Sequence, residues 1–172
     1  MPPSKSHKNQ TNYDFIDDVR ARKSNYYRLG LDGFHNLFHI ALDVPLEQAL
    51  NGHGHNITIM IEDGQRMTVK DESGGLPINS PLDKNSTFME QVFTSVILSQ
   101  QPLLRQANQI LEPRIIINYD NAFINALSSE LVVENRREGL LWKQRFKHGK
   151  PISPPSILRA LQHDETDGVT IS

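Results

Sequence analysis

The segment from 33 to 79 constrains the fold most, because its periodicity changes from helical to strand-like and then stops in a glycine-rich loop. Its first part has apolar residues at helical spacing, which predicts an amphipathic helix over 33–52. Pro45 interrupts this pattern and predicts a kink or a restart of the helix, because proline has no backbone donor. Gly52 is a natural helix end.

A β-hairpin is expected directly after this helix. From 57 to 62, isoleucines alternate with other residue types, which predicts a half-buried strand. Asp63 and Gly64 form a strong hairpin-turn signal, and a second strand is expected over 66–71. The sequence ESGGLP then ends the hairpin, because two glycines and a proline cannot continue a regular ladder.

The remaining chain alternates helical and strand patterns. Thr87 and Glu90 have the spacing of a capping box, in which the side chain of each residue bonds the backbone N–H of the other. The other signals are apolar stripes at helical spacing and short apolar or alternating runs. They predict helices over 87–99, 102–111 and 121–128, and strands over 114–119, 131–136, 141–146 and 168–171.

Together these elements predict an α+β fold: a two-layer sandwich in which helices cover one face of a mainly antiparallel mixed sheet. Residues 1–12 are polar and rich in proline, serine and lysine, and we expect them to form a flexible N-terminal arm. A single domain is expected over 13–172, which is long enough to bury a core.

Composition excludes several classes of function. The net charge of −2 and the pI of 6.4 give no argument for a nucleic-acid or membrane partner. The chain has no cysteines, which excludes disulfides, thiolate zinc sites and thiol catalysis and fits a cytoplasmic protein. The N-terminus lacks the apolar region of a signal peptide, and no apolar run reaches the roughly 20 residues of a membrane span.

Histidines and basic residues offer candidate sites that have simpler explanations. His35 and His39 have a spacing that can bind a metal, but no third ligand stands at a convincing position, so we expect ordinary helix histidines. The basic residues between 136 and 150 are typical of a solvated hairpin, and a nucleic-acid contact is the less favoured interpretation. Trp142 and Phe146 alternate along a strand, which indicates core packing.

Three stretches resemble one known family in their order and spacing. GFHNLFHIALDVPLEQALNG at 33–52 resembles a family helix that begins Gly-Leu-His-His-Leu, and VKDESGGLP at 69–77 resembles a loop with the pattern Asp-x-Gly-x-Gly-Ile-Pro. The stretch INALSSELVVENRREGLLWKQRFKHGKPISP at 124–154 resembles the helix and hairpin that follow. The chain is thereby similar, over roughly 14–79 and 121–172, to the ATPase domain of the DNA gyrase B protein, a GHKL protein.

The resemblance also implies that the hydrolytic residues are missing. In the family, a glutamate on the first helix activates water and an asparagine one turn later holds magnesium; here Ile40 and Val44 occupy those positions. Isoleucine accepts no proton and valine offers no oxygen ligand. The stretch aligned with the family's glycine-rich phosphate lid, 115–123, contains no glycine, which disfavours close backbone approach to phosphates. We therefore expect no catalytic residues and no metal.

The resemblance also assigns residues of this chain to other positions that line the nucleotide pocket in the family, and these residues form the candidate ligand-binding set. Asp71 corresponds to the aspartate that accepts a hydrogen bond from the adenine amino group, and Gly75 to a glycine beside the adenine. Asp43 keeps an acidic position on the helix, and Arg137 corresponds to an arginine at the outer mouth of the pocket. Val169 replaces a threonine that contacts adenine. An alternative for Asp71 is that it only caps the turn at the end of its strand.

The sequence therefore predicts a catalytically inactive, stand-alone gyrase-B-like GHKL domain that binds a protein partner or an adenine-type ligand without turnover. No cofactor is expected except a weakly held adenine nucleotide without magnesium, and the apolar replacements favour a reduced or closed pocket over an open one. The expected partner is an unidentified protein, gyrase-related in one interpretation, and a homodimer through the N-terminal arm is a further option. The alternatives are a diverged ATPase and a decoy or regulator of gyrase.

Overall fold

The computed structural model describes residues 14–23, 31–78, 86–95 and 120–172. In these ranges the helices are α1 Asp14–Ala21, α2 Leu31–Leu50, α3 Phe88–Thr94 and α4 Asp120–Leu127. The strands are β1 Ile57–Glu62, β2 Arg66–Asp71, β3 Glu130–Arg137, β4 Leu140–Lys147, β5 Lys150–Pro151, β6 Ser156–Ala160 and β7 Gly168–Ile171. The expected N-terminal arm at 1–12, helix at 102–111 and strand at 114–119 lie outside the described residues.

All the strands belong to a single seven-stranded sheet, which confirms the predicted fold. The order is β1-β2-β7-β3-β4-β5, β6 pairs with the same edge of β4 as β5 but at the other end of that strand, and every described pair is antiparallel. The core lies between the sheet and the helices, where Phe88 and Phe93 of α3 pack with Phe146 of β4. This packing confirms the interpretation of Phe146 as a core residue, and Trp142 packs partly buried against the same cluster.

Helix α2 continues through Pro45, so the predicted restart there is wrong, while the alternative of a kink stays a prediction. Proline removes only one backbone hydrogen bond, and its ring is buried in the wall of a cleft described below. The predicted end at Gly52 is confirmed: this residue has a φ of +82°. Its N–H donates to Ala49 O (3.0 Å) and that of His53 donates to Gln48 O (2.9 Å), the pattern of a Schellman motif.

The alternating pattern of β1 predicted a half-buried strand, and this prediction is wrong. Only Ile57 is partly buried and the other five residues are exposed. The reason is position, because β1 is the edge of the sheet and contacts with α2 are made by its neighbour β2. Strands β5 and β6 were not predicted from the sequence. All five residues of β6 are exposed, so neither face of that strand produces an apolar pattern.

Both predicted hairpins form around residues with positive φ. Asp63 and Gly64 have φ values of 52° and 63°, and Glu138 and Gly139 have values of 55° and 74°. Two successive left-handed residues match the twist of the flanking strands. The hairpin β3–β4 has eight residue pairs in continuous register, which fixes the faces of both strands.

Helix α3 is shorter than the predicted 87–99, because Ser95 is already extended. Its N-terminus has half of the predicted capping box: Thr87 Oγ1 accepts a hydrogen bond from Glu90 N at 3.2 Å. The carboxylate of Glu90 instead accepts from Gln144 Nε2 at 3.1 Å. That carboxylate therefore ties the helix to β4 and does not cap the first turn.

A bidentate ion pair holds the loop between β6 and β7. Glu165 accepts from both guanidinium nitrogens of Arg159, one of them at 2.7 Å, and from Gln162 N at 2.8 Å. The Arg159 hydrogen bonds, helped by the Gln162 N–H, lower the pKa of Glu165 from 4.5 to about 2.

We expect carboxyl-detected NMR titration to place the Glu165 midpoint near pH 2, and to find it raised toward, but still below, its ordinary value in Arg159→Gln, because the Gln162 N–H still donates to the carboxylate. Because the folded-state pKa is lowered, the contribution to stability is complete above pH 4.5 and is lost as pH falls toward about 2. A wild-type midpoint near 4.5 would show that the ion pair does not persist in solution.

Candidate functional site

A cleft lies between α2, the loop that follows β2, and strands β2 and β7. Its cavity has a volume of about 30 Å³ and is partly open to solvent, which is room for a few water molecules and far below the roughly 300–1,000 Å³ of a typical small-molecule site. Its walls are mostly apolar, with a few polar side chains among them. The lining residues are Ala41, Val44, Pro45, Gln48, Val69, Asp71, Ser73, Gly75, Leu76, Asn121, Val169 and Ile171.

Asp71, at the end of β2, is the acidic residue of the cleft and is only 7% exposed. Its Oδ1 accepts three hydrogen bonds: from Ser73 N at 3.0 Å, from Ser73 Oγ at 2.6 Å and from Val169 N at 3.0 Å. Asp71 therefore caps the turn and also lines the cleft, so the two interpretations coexist. Within the described ranges these three bonds all end on Oδ1, which leaves Oδ2 to accept a donor from a ligand.

The loop after Asp71 depends on close contact with β3. Gly75 has a φ of +72°, and a Cβ there would lie 2.4 Å from Arg136 O and 2.8 Å from Asn135 Oδ1. The fully buried Asn135 accepts from Leu76 N at 2.7 Å and donates to Leu76 O at 2.8 Å. Glycine is therefore required at Gly75, and one amide side chain holds the loop against the sheet.

Two arginines of β3 stiffen the same wall. Arg136 is 4% exposed and donates to Asp71 O at 2.6 Å, to Thr170 Oγ1 at 2.7 Å and to Thr166 O at 3.0 Å. The prediction that the basic residues of this hairpin are solvated is therefore wrong for Arg136. Arg137 Nη1 donates to the carbonyl oxygens of Gly74 and Gly75, both at 3.0 Å.

The structure brings together only part of the predicted ligand-binding set. Asp71, Gly75 and Val169 line the cleft. Asp43 is exposed on α2, and Arg137 holds the loop backbone; neither lines the cleft. The part that these five residues play in ligand binding stays a prediction.

Of the two family positions on α2, one faces the cleft and one does not. Val44 is a lining residue, whereas Ile40 packs partly buried against the hydrophobic core. Val44 offers no oxygen, so the cleft does not fit a magnesium ion at that position. In the described part of the chain, no three histidine, aspartate or glutamate side chains are grouped to hold a metal ion, and His35 and His39 are exposed on α2.

Sequence reasoning missed Asn135 and Arg136, the residues that organise the wall of the cleft. One signal was present for Asn135. It continues the inward series of Leu131 and Val133 at the period of two that a strand requires, and a polar residue in such a series needs a partner. For Arg136 there was no comparable signal, because its partners come from the distant segment 166–170.

A sheet covered by helices, with a cleft between a long helix and a turn carrying aspartate and two glycines, is the architecture that the resemblance to the GHKL family implies. No protein-family model matches the chain. The 43K ATPase domain of Thermus thermophilus gyrase B, in complex with an aminocoumarin, superimposes with a TM-score of 0.71 at 24% identity, covering 91% of this chain and 38% of that chain. The fold is therefore that of the gyrase B ATPase domain.

Sequence comparison gives the same relationship. The chain is 27% identical over 150 residues to the B protein of the type 2 topoisomerase of Aquifex aeolicus, covering 83% of this chain and 18% of that protein. It is 28% identical over 158 residues to DNA gyrase B of Haloferax volcanii, covering 91% of this chain and 24% of that protein. It is 32% identical over 142 residues to the B protein of DNA topoisomerase 4 of Streptococcus pneumoniae, covering 80% of this chain and 21% of that protein. The predicted resemblance to gyrase B is confirmed.

The length of the match and the search for membrane-spanning helices complete the comparison. The chain spans 18% to 24% of the length of these three relatives, so the similarity covers one region of each of them. Within the described residues, no helix is long and apolar enough to cross a membrane.

Proposed function

We propose that this chain is a gyrase-B-like domain that binds an adenine-type ligand in the cleft but does not hydrolyse ATP. One observation carries the proposal: Val44, which the resemblance aligns with the magnesium-binding asparagine of the family, forms part of the cleft wall with Pro45 beside it. Without that oxygen ligand, the charge of the transferring phosphate is not neutralised at this position. Ile40 adds to the defect because it cannot act as a general base.

A flat base with an amino group requires this cleft to widen, but the side chains that line the cleft suit such a ligand. Val69, Val169 and Ile171 provide apolar walls, and Asp71 Oδ2 can accept one hydrogen bond from a ligand. A bond from an amino group to a carboxylate contributes about 1.5–3 kcal/mol. The phosphates would add little, because the sequence at 115–123 has no glycine to cradle them.

Calorimetric titration tests this proposal with adenosine, ADP and ATP, each with and without magnesium. We expect all three to bind weakly and with similar affinity. Asp71→Asn should weaken adenosine binding roughly ten- to hundredfold, since 1.36 kcal/mol is a factor of ten and the amide nitrogen does not accept. The matched control is Asp164→Asn, which removes an exposed carboxylate in the loop between β6 and β7 and should change nothing. A magnesium-dependent preference for ATP of tenfold or more would contradict the proposal.

Turnover provides an independent measurement. We expect the purified chain to show no magnesium-dependent ATP hydrolysis above background, and Ile40→Glu alone to create none, because Val44 and the lid sequence remain. Clear turnover in the wild-type chain that disappears in Asp71→Ala would support the runner-up, a diverged ATPase.

A second candidate is a decoy or regulator of gyrase. The observation that favours it is the similarity to a gyrase B domain whose structure holds an aminocoumarin, together with the shared position of Asp71. In this case an aminocoumarin, titrated in place of adenosine, would bind more tightly than adenosine. A binding role toward a protein partner, gyrase-related or not, is compatible with either candidate.

A further inference from the structure

Strand β1 forms one edge of the sheet that the described strands build, so one row of its backbone groups has no partner strand among them. Among the described strands it pairs only with β2. Natural edge strands are commonly protected by a proline, an internal lysine, a bulge or a very short length. β1 has six residues in unbroken register with β2 and contains neither proline nor lysine. In the part of the chain that the structure describes, this edge is therefore open to another strand.

The side chains of β1 are apolar and exposed on both faces of the sheet. Ile59 and Ile61 are 40% and 54% exposed and lie on the face that carries the helices, while Met60 is 50% exposed on the other face. Helix α2, which leads into this strand, exposes Leu46 and Leu50. Several exposed apolar side chains on one edge strand are unusual for a surface that only contacts water.

We propose that β1 is a self-association edge, to which a second copy of the chain adds its own β1 in antiparallel orientation. A two-fold axis perpendicular to the sheet relates the two strands and keeps every residue on its own face. The isoleucine row of one copy therefore meets the isoleucine row of the other. The interface closes after two copies, because each copy contributes the same edge.

The charges of this edge fit a second copy. With Met60 on the axis, Ile59 lies opposite Ile61 of the second copy, and Thr58 lies opposite Glu62 of the second copy. Each carboxylate thus faces a hydroxyl and not another carboxylate, which removes the repulsion that like charges directly opposite would cause.

The next strands continue this complementarity. In β2, Lys70 pairs with Thr58 and Arg66 pairs with Glu62, and both cations are exposed. On this face, a row of four side chains crosses the two copies: Lys70 and Thr58 of one copy, then Glu62 and Arg66 of the other. Every Glu62 carboxylate therefore lies between two cations. One is Arg66 of the same copy, directly opposite it on β2, and the other is Lys70 of the second copy, two strand spacings or roughly 10 Å away.

Sedimentation velocity of the complete chain over a range of concentrations tests the proposal. We expect a monomer–dimer equilibrium that Ile61→Lys shifts to monomer by at least tenfold in the dissociation constant. The matched control is Ile157→Lys on β6, where the side chain is 53% exposed and lies outside the proposed interface. Circular dichroism should show both variants folded, because both replaced side chains are exposed.

Disulfide cross-linking between the two copies tests the proposed register of the two β1 strands directly. The chain has no cysteines, and Cα atoms directly opposite in an antiparallel pair lie about 4.5–5.5 Å apart, within the range of a disulfide. Mild oxidation should therefore convert Met60→Cys, but not Ile157→Cys, to a disulfide-linked dimer. A monomeric wild-type chain, a dimer that survives Ile61→Lys, growth beyond two copies, or equal cross-linking of both cysteine variants would each overturn the proposal.

Discussion

Replacing Gly75 with alanine is expected to lower the free energy of unfolding by about 2–5 kcal/mol. About 1–2 kcal/mol comes from placing an L-residue at a left-handed φ, and about 1–3 kcal/mol from overpacking. The overpacking is specific, because the new Cβ would lie 2.4 Å from Arg136 O and 2.8 Å from Asn135 Oδ1. Urea unfolding gives this free energy, and calorimetry with adenosine should show that binding is lost with the loop conformation.

The matched control is Gly139→Ala in the β3–β4 turn. Gly139 has a φ of +74°, close to the +72° of Gly75, but no atom lies within 4 Å of its added Cβ. The control should therefore show only the backbone cost of about 1–2 kcal/mol. Equal losses in the two variants would mean that the contact between the loop and β3 is not tight in solution.

Replacing Asn135 with leucine is expected to destabilise the chain by about 2–5 kcal/mol. The substitution leaves the N–H and C=O of Leu76 without their side-chain partners, and each unsatisfied buried group costs about 1–3 kcal/mol. Urea unfolding measures the total loss. Hydrogen exchange of the Leu76 amide should accelerate more than that of amides in the β3–β4 ladder, because the loop is freed locally.

Asn56→Ala serves as the comparison for this variant. Asn56 also donates a side-chain hydrogen bond, to Glu72 Oε2 at 2.8 Å, but in an exposed setting. Its loss should stay within about 0.5 kcal/mol. If Asn135→Leu were as mild as Asn56→Ala, the loop would not depend on β3 for its position.

The sequence predicted well those features that depend on local chemistry. Asp63-Gly64 and Glu138-Gly139 define their turns by backbone preference alone, and Gly52 ends α2 through its left-handed φ. The position of Asp71 at the end of its strand was also predictable, because the following glycines and proline stop the ladder. These signals lie within a few residues of the features that they determine.

The errors concern features that depend on distant parts of the chain. Alternation in β1 shows which side chains share a face, but not whether a helix covers that face, and α2 packs over β2 instead. Pro45 looked like a break because its buried setting was not visible in the sequence. Arg136 looked like a solvated cation because its acceptors come from residues 71, 166 and 170.

The carboxylate of Asp71 has two functions, one on each oxygen. It thereby links ligand binding to the attachment of β7 in the middle of the sheet. Oδ1 holds the N–H of Val169 in β7, which lies between β2 and β3, while Oδ2 is left for a ligand. If a ligand holds this side chain in place, it also secures the attachment of β7, and the coupling must be reciprocal. A bound ligand should then slow exchange of the Val169 amide, and loosening of β7 should weaken the ligand by the same factor.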